Sequence, residues 1–542
     1  MQVESLSLRP KLQGALPVVD HFLRPLELPK LLAPEITPPH YVAALELLVK
    51  SVLLQPSALY RIEAWAQSCD PAWLPAGHFG DDAVGRALDR LFEADRASLM
   101  TALVLQAVKT FQVQTEQIHN DSTSVKFCGA YAHQKVNGVQ LRRGFSKDHR
   151  PDLKQLVYCL SVSADGAVPV HFKAYPGNQA DDPTHWETWQ CLCRLLDKSD
   201  FLYVADCKLC DLKTLLRLDQ HHGRFITIVP RNRTEVADFA QQAAQGQVRW
   251  EPLWNRRACR ARQRREIFEL ASGSRQLQAS FPIHWYRSSE KQRRDAHDRQ
   301  GRIQAALQRL KRLNERRGRG PKTEPAIRRK AEQLLAHYHV QSLVEFQIQL
   351  QQQPSPSQQP RSQSPTPATS QAAAHKAISV LSACQNPTAI ARVATLDGTF
   401  PLVTNTDLSA LAVLQKYKYQ PHLEKRHCLN KSVLEIAPVF LKNNTRIEAL
   451  MLVYFIAELI AALIERTVRQ NMARRAIKAI PILPEGRYSK TPTYEQILGT
   501  FEGRTKNELY EHDQFLRAFV TPLTEIQRTV LHLLDIDAAV YK

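Results

Sequence analysis

Between residues 118 and 229, apolar runs of strand length alternate with stretches of helix length, and this alternation constrains the fold more than any other feature of the chain. Ile118 to Val125 is strand-like around Asp121. Leu156 to Ser163 and Val168 to Ala174 flank Ala164-Asp165-Gly166, a hairpin signal. Pro183 to Leu196 reads as a helix with proline near its first turn, Phe201 to Ala205 as a strand, Leu209 to Leu218 as a helix and Phe225 to Val229 as a strand. Three strands, helix, strand, helix, strand predicts an α/β chain with a mixed or parallel sheet between helical layers. Sites in such sheets gather at strand ends. Asp121 is expected at the end of its strand, and Asp206 where the run Phe201-Leu202-Tyr203-Val204-Ala205 stops.

The flanking segments have a different texture. Residues 1–110 read as helical: Tyr41 to Leu54 is apolar-periodic, and Asp81 or Asp82 is expected to N-cap a helix through Val84, Leu88, Leu91 and Phe92. Ile267 to Leu270 and Gln276 to Tyr286 are β-like, and Ala296 to Leu313 is helical with Ile303, Leu307, Leu310 and Leu313 as its apolar positions. Gln351 to Gln371 is rich in Gln, Pro and Ser and reads as a linker. Ala391 to Leu396 is expected to be a strand before the turn at Asp397-Gly398, and Glu424 is expected on a helix through Val433. Ala449 to Ile464 is the most apolar stretch. It contains Glu458 and is flanked by Glu448, Glu465 and Arg466, so a buried helix explains it better than a membrane span.

Charge narrows the partner. The net charge is +19, and residues 249–330 hold 24 Lys and Arg against 8 Asp and Glu. A local excess of this size is the footprint expected for a phosphate backbone. No GxGxxG or P-loop spacing supports a nucleotide cofactor. The ten cysteines form neither a disulfide framework nor a zinc pattern; Cys191/Cys193 and Cys207/Cys210 are close pairs without a completing His set. Met1-Gln2-Val3-Glu4-Ser5 lacks a basic and then apolar leader, so the expected setting is a reducing cytoplasm.

Asp121, Asp206 and Glu424 are the candidate chemical groups. Three carboxylates suit phosphodiester chemistry with two divalent ions about 4 Å apart, one activating the attacking oxygen and the other stabilising the leaving one. Magnesium prefers such hard oxygen ligands and takes few of them from protein. A single Asp at a strand end is more often a cap or turn residue, and Asp148, Asp152, Asp181, Glu187 and Glu435 are rival acids. Glu424 and Lys431 are seven apart, two helical turns, with Gln420 one turn earlier on the same expected face and Tyr417 able to stack on a base or bond a phosphate. An ordinary amphipathic helix with a solvated charged face has the same spacing.

The set Tyr417, Gln420, Glu424, Lys431 resembles the Tyr-x2-Arg-x3-Glu-x6-Lys signature of DDE-class insertion-sequence transposases, with Gln420 in the Arg position. Asp121-Ser122-Thr123-Ser124, the block Gly144 to Gln155, Leu402 to Thr406 and Tyr419 to His427 resemble blocks of one subgroup, and the similarity runs from about residue 15 to 470. The resemblance implies an RNase H-like mixed sheet with flanking helices, interrupted by a basic α+β insertion domain, plus an N-terminal helical domain. The boundaries expected are 1–110 (helical, binding DNA ends), 111–235 (first part of the core), 236–390 (insertion, with the linker near 351–371), 391–475 (second part of the core, with Glu424) and 476–542 (C-terminal helical region). It implies Asp121, Asp206 and Glu424 as a metal-binding catalytic triad for two Mg2+ ions, with Mn2+ able to substitute. It further implies binding of terminal inverted repeats, cleavage of transposon ends, joining of 3′ hydroxyls to target DNA, and a dimer when two ends are paired. A bacterial cytoplasmic, nucleoid-associated location follows. Tyr417, Gln420, Lys425, Arg426 and Lys431 become candidate DNA contacts. Trp254 and Trp285, with Trp250, are candidates for stacking on a flipped base, although core packing is the commoner role for a Trp. Gln cannot clamp phosphate bidentately as Arg does. The competing expectations are a non-catalytic DNA-binding regulator of the same fold and an RNase H-like nuclease without strand transfer.

Overall fold

The computed structural model describes residues 6–145, 147, 150–180, 183–257, 264–273, 275–278, 280–315, 323–353, 376–436 and 441–542. Asp148, Asp181 and residues 354–371 of the expected linker lie outside the described residues. The chain is mixed α/β and divides into two units, one of residues 1–228, 404–407 and 412–542, the other of 229–403 and 408–411.

The first unit begins with β1 (Leu6–Leu12), a strand in a segment expected to be wholly helical. Its sheet comprises β2 (Gln117–Phe127), β3 (Lys154–Ser163), β4 (Pro169–Pro176), β5 (Leu202–Ala205) and β6 (Arg224–Ile228), in the order β4-β3-β2-β5-β6. The first three form an antiparallel meander, and β5 and β6 run parallel to β2. These strands are buried almost throughout, which is why they read as continuous apolar runs rather than alternating ones. The helix Thr184–Leu196 precedes β5 and the helix Leu212–Gln220 links β5 to β6.

The second unit contains β7 (Trp250–Arg257), β8 (Arg265–Ala271), β9 (Gln276–Leu277) and β10 (Phe281–Ser288). It continues with a hairpin of β11 (Val344–Gln353) and β12 (Lys376–Gln385), and with β13 (Thr399–Thr404). Its sheet order is β13-β10-β8-β7, with β9 beside β10. Helices Ser289–Glu315 and Glu324–His337 pack Ile303, Ala306, Leu310, Ile327, Ala331 and Leu335 into one core with Val344 and Leu381 of the hairpin. The outward face of the first helix exposes Arg294, Arg302, Arg309 and Arg312. Ala391 to Leu396 is not a strand. Asn386 caps a helix Pro387–Ala394 through its side chain, with proline in the first turn, and the strand follows the Asp397-Gly398 turn.

The chain then returns to the first unit. Asn443 caps the helix Asn444–Arg474, whose most apolar window is 94% buried, against the helices Pro39–Leu54 and Asp81–Glu93 and against β4. Gly80, not Asp81 or Asp82, is the N-cap of Asp81–Glu93; the two aspartates occupy its first turn, where they favour the positive end of the helix dipole. Residues 476–542, expected to be helical, contain the hairpin of β14 (Thr505–Glu511) and β15 (Gln514–Val520), with β1 pairing on β14.

Candidate active site

Strand register brings the two aspartates together. β2 and β5 pair in parallel from Gln117 opposite Leu202 to Asn120 opposite Ala205, so the next residue on each is Asp121 and Asp206. Asp206 ends β5 because its carboxylate accepts from Lys208 N at 3.0 Å and caps the turn Cys207–Leu209, while its carbonyl accepts from Thr227 Oγ1 at 2.6 Å. Asp121 is not at a strand end. It is the fifth of eleven residues in β2, which runs on to Phe127 because β3 stays paired with it beyond the point where β5 stops. The acid sits where the sheet, rather than the strand, has its edge.

The two carboxylates repel. Burial, followed by the Asp121 charge, pushes the Asp206 carboxyl above the usual range. Asp121 Oδ1 accepts from Ser122 N at 2.8 Å and from Lys147 Nζ at 3.2 Å, and Oδ2 lies 4.0 Å from His427 Nε2. The floor beneath is polar and closed: His119 and Asn120 are buried, Asn120 Oδ1 accepts from Ser161 Oγ at 2.8 Å, and His185 Nδ1 lies 3.1 Å from the Tyr203 hydroxyl.

Glu424 is carried by the helix Gln420–Ser432, which packs on β2. The inward stripe of that helix is Gln420, Leu423, His427 and Asn430, and Glu424 is exposed beside it. The Tyr417 hydroxyl is pushed up by burial and then by the charges of Asp206, Cys207, Glu424 and Asp121, so all three carboxylates bear on one phenol. Among the described residues no three His, Cys, Asp or Glu side chains are close enough together to hold a metal ion. Asp121 and Asp206 form a two-carboxylate cradle, and Glu424 has the freedom of an exposed side chain to turn toward it. That donor set fits magnesium, which takes one or two protein carboxylates and completes its octahedron with water and substrate phosphate.

Other candidate residues fall elsewhere. Gln420 does not share an exposed face with Glu424. It is 8% exposed, its Oε1 lies 2.7 Å from His119 Nδ1, and its Nε2 donates to Asn120 O at 3.4 Å, so it ties the helix to β2. Burial lowers His119 to about 4, so a neutral amide suits this place and a guanidinium would have no counter-charge. Arg426 is also turned inward, paired with Glu465 at 2.9 Å and donating to the carbonyls of Gly166 and Ala167. Lys425 is exposed and Lys431 half-buried. Trp285 is 2% exposed and stacked on Phe239 at 3.7 Å, which makes it core; Trp254 stacks on Phe268 at 5.3 Å under the Arg256 guanidinium. Trp250 lies under the Arg287 guanidinium. Of the rival acids, Asp152 is held by Arg150, Glu187 by Lys173 and Tyr175, and Glu435 is exposed beyond the helix end.

Lys147 and His427 escaped sequence reasoning. Both lie in blocks already singled out, Gly144 to Gln155 and Tyr419 to His427, but nothing in a linear pattern says that each is directed at Asp121. Burial drives His427 down to about 3, leaving the imidazole neutral against the carboxylate.

No family model and no curated protein sequence matches the chain. Among solved structures it is similar to the piggyBac transposase synaptic complex with hairpin DNA, determined by cryo-EM, at 9% identity over 86% of this chain and 70% of that one, with a TM-score of 0.36. A likeness at that level carries no functional inference.

Proposed function

We propose that this chain is a DDE-class DNA transposase that cleaves transposon ends and joins the freed 3′ hydroxyls to target DNA, with Asp121, Asp206 and Glu424 as the metal-binding acids. The observation that carries the reading is the placement of Asp121 and Asp206 side by side on neighbouring parallel strands, where burial and then the Asp121 charge push the Asp206 carboxyl up. Bound divalent metal, Mg2+ or Mn2+, would supply Lewis-acid activation of the attacking oxygen and stabilisation of the leaving one. The residues supply the rest. Backbone bonds to Ser122 N and Lys208 N fix the two carboxylates before substrate arrives. Gln420 and Asn430 fix the helix that presents Glu424, and its exposed Lys425 and half-buried Lys431 would meet DNA phosphates. The arginines exposed along Ser289–Glu315 suit a phosphate backbone. In this reading the partner is double-stranded DNA, and two copies pair when two ends are held.

A second reading, a non-catalytic DNA-binding regulator, is favoured by the exposed position of Glu424 and the lack of a closed three-ligand set among the described residues. Purified protein, a duplex carrying the inverted repeat that flanks its coding region, and Mg2+ separate the two. Nicks at the repeat boundary and joined products, both lost in Asp121→Asn and Asp206→Asn, support the transposase. Tight binding of that duplex without cleavage selects the regulator.

A further inference from the structure

We propose that Lys147 is a built-in counter-ion that occupies the metal-facing edge of Asp121 and is displaced when a divalent cation binds. The inference rests on reading Asp121 as a metal ligand. Lys147 Nζ lies 3.2 Å from Asp121 Oδ1 and 3.0 Å from Ser122 Oγ, and it also bonds the Ser122 carbonyl. It thus sits among three oxygens, the type of ligand a hard cation seeks. An ammonium and a divalent ion cannot share that carboxylate edge without strong repulsion at such short range.

The placement is built rather than incidental. Lys147 N donates to Ser124 Oγ at 3.4 Å. The chain leading to it is locked to β3: Arg142 and Gln155 exchange backbone hydrogen bonds of 3.2 and 2.9 Å, and Gln155 Nε2 donates to Phe145 O at 3.0 Å and Gly177 O at 2.9 Å. Gly144 and Gly177 permit that contact, since a Cβ on Gly144 would stand 2.1 Å from Gly177 O and one on Gly177 would stand 2.0 Å from Gln155 O. A solvated surface lysine needs no such scaffold, and this one is only 33% exposed at its side chain. Gly144, Phe145 and the Pro176-Gly177 turn therefore have a common task, to hold the ammonium of Lys147 over one aspartate.

Two measurements on the full chain without DNA test this. Mn2+ binding, followed by the electron paramagnetic resonance of free Mn2+, is compared for the wild type, Lys147→Met, Lys147→Arg and Asp121→Asn. Lysine acylation read by mass spectrometry reports whether Lys147 is covered. Lys147→Met is expected to bind Mn2+ roughly two- to fivefold more tightly, in keeping with loss of one partly exposed ion pair, and Lys147→Arg to remain near the wild type. Saturating Mn2+ should raise acylation of Lys147, and in Asp121→Asn acylation should already be high without metal. Unchanged or weaker binding in Lys147→Met overturns the inference, as does acylation that ignores Mn2+, because a lysine that merely stands nearby would not be uncovered. If Asp121→Asn loses Mn2+ while Lys147→Met is unaltered, only the counter-ion role falls. If Asp121→Asn binds like the wild type, the metal-ligand reading falls with it.

Discussion

Replacing Glu458 with Gln should make the protein more stable at pH 8 and leave it little changed at pH 5. Glu458 is fully buried in the long helix Asn444–Arg474; its Oε2 accepts from Asn430 Nδ2 at 2.8 Å, and Oε1 has no partner among the described residues. Burial pushes the carboxyl from an ordinary 4.5 up to about 8, against smaller opposing effects of the Asn430 hydrogen bond and the Arg426 charge. Because the folded pKa is the higher one, the folded chain keeps a proton between pH 4.5 and 8 that the unfolded chain has lost. Stability is therefore full below the unfolded pKa and falls as pH rises, by up to ~1.4 kcal/mol per unit. Across that interval the loss is about 3–5 kcal/mol. The Gln variant has no proton to lose, its carbonyl still accepts from Asn430 Nδ2, and its amide can donate to Asn430 Oδ1, which also lacks a partner among the described residues. Urea denaturation at pH 5, 6.5 and 8, followed by circular dichroism, should show the variant gaining on the wild type at each step. A difference that stays constant with pH would refute the reasoning, since it would mean that the carboxyl does not hold its proton in the fold. The consequence reaches the site, because Asn430 is on the helix that carries Glu424.

Three further outcomes follow from the same geometry. Asp206→Asn should abolish cleavage of end DNA without lowering the melting temperature, because it removes a partly buried charge that Asp121 repels; a large fall in melting temperature by calorimetry would contradict this. Arg426→Met should cost about 1–3 kcal/mol in denaturant titration by leaving the Gly166 and Ala167 carbonyls without their donor, with Glu465 still held by Arg469 at 3.2 Å, while leaving the salt dependence of DNA binding unaltered; a flatter salt dependence in a folded variant would return Arg426 to the DNA. Lys425→Ala and Lys431→Ala should each weaken binding of all duplexes alike and reduce the slope of log K against log salt by about one; a sequence-selective loss in fluorescence anisotropy would mean that these side chains read bases instead of phosphates.

What the sequence made legible follows from which contacts are local. Asp206 could be found because an apolar run visibly stops at it, and the cap it provides for the next turn is made by its own neighbours. Asp121 could be found as a residue but not as a position, since the strand continues past it through pairing with β3, more than thirty residues on. The strands β1, β14 and β15 left no trace because they are exposed or half-buried along their length, with no buried face to impose alternation. The helix at 387–394 was misread for the opposite reason. Its local signals, Asn386 and Pro387, are present, but Ala391-Arg392-Val393-Ala394-Thr395-Leu396 is a short apolar run broken by single polar residues, the texture of a strand.

The rotation of the Glu424 helix is the hardest case, and it decides the most. Spacing alone puts residues 420, 424 and 431 near one face. What turns Gln420 inward is a buried stripe that is itself largely polar, Gln420, His427 and Asn430 around Leu423, so no apolar periodicity marks the inner side. The partners that stabilise those polar groups lie far away in sequence: His119 for Gln420, Glu458 for Asn430 and Glu465 for the neighbouring Arg426. A buried polar helix face must find such partners, since leaving even one group unmatched costs about 1–3 kcal/mol. Gln420 is therefore matched to a neutral His119. Anchoring by the buried stripe and presentation of Glu424 beside it are two results of the same rotation. A helix free to roll would lose both, and the hydrogen bonds of Gln420 and Asn430 hold it against that.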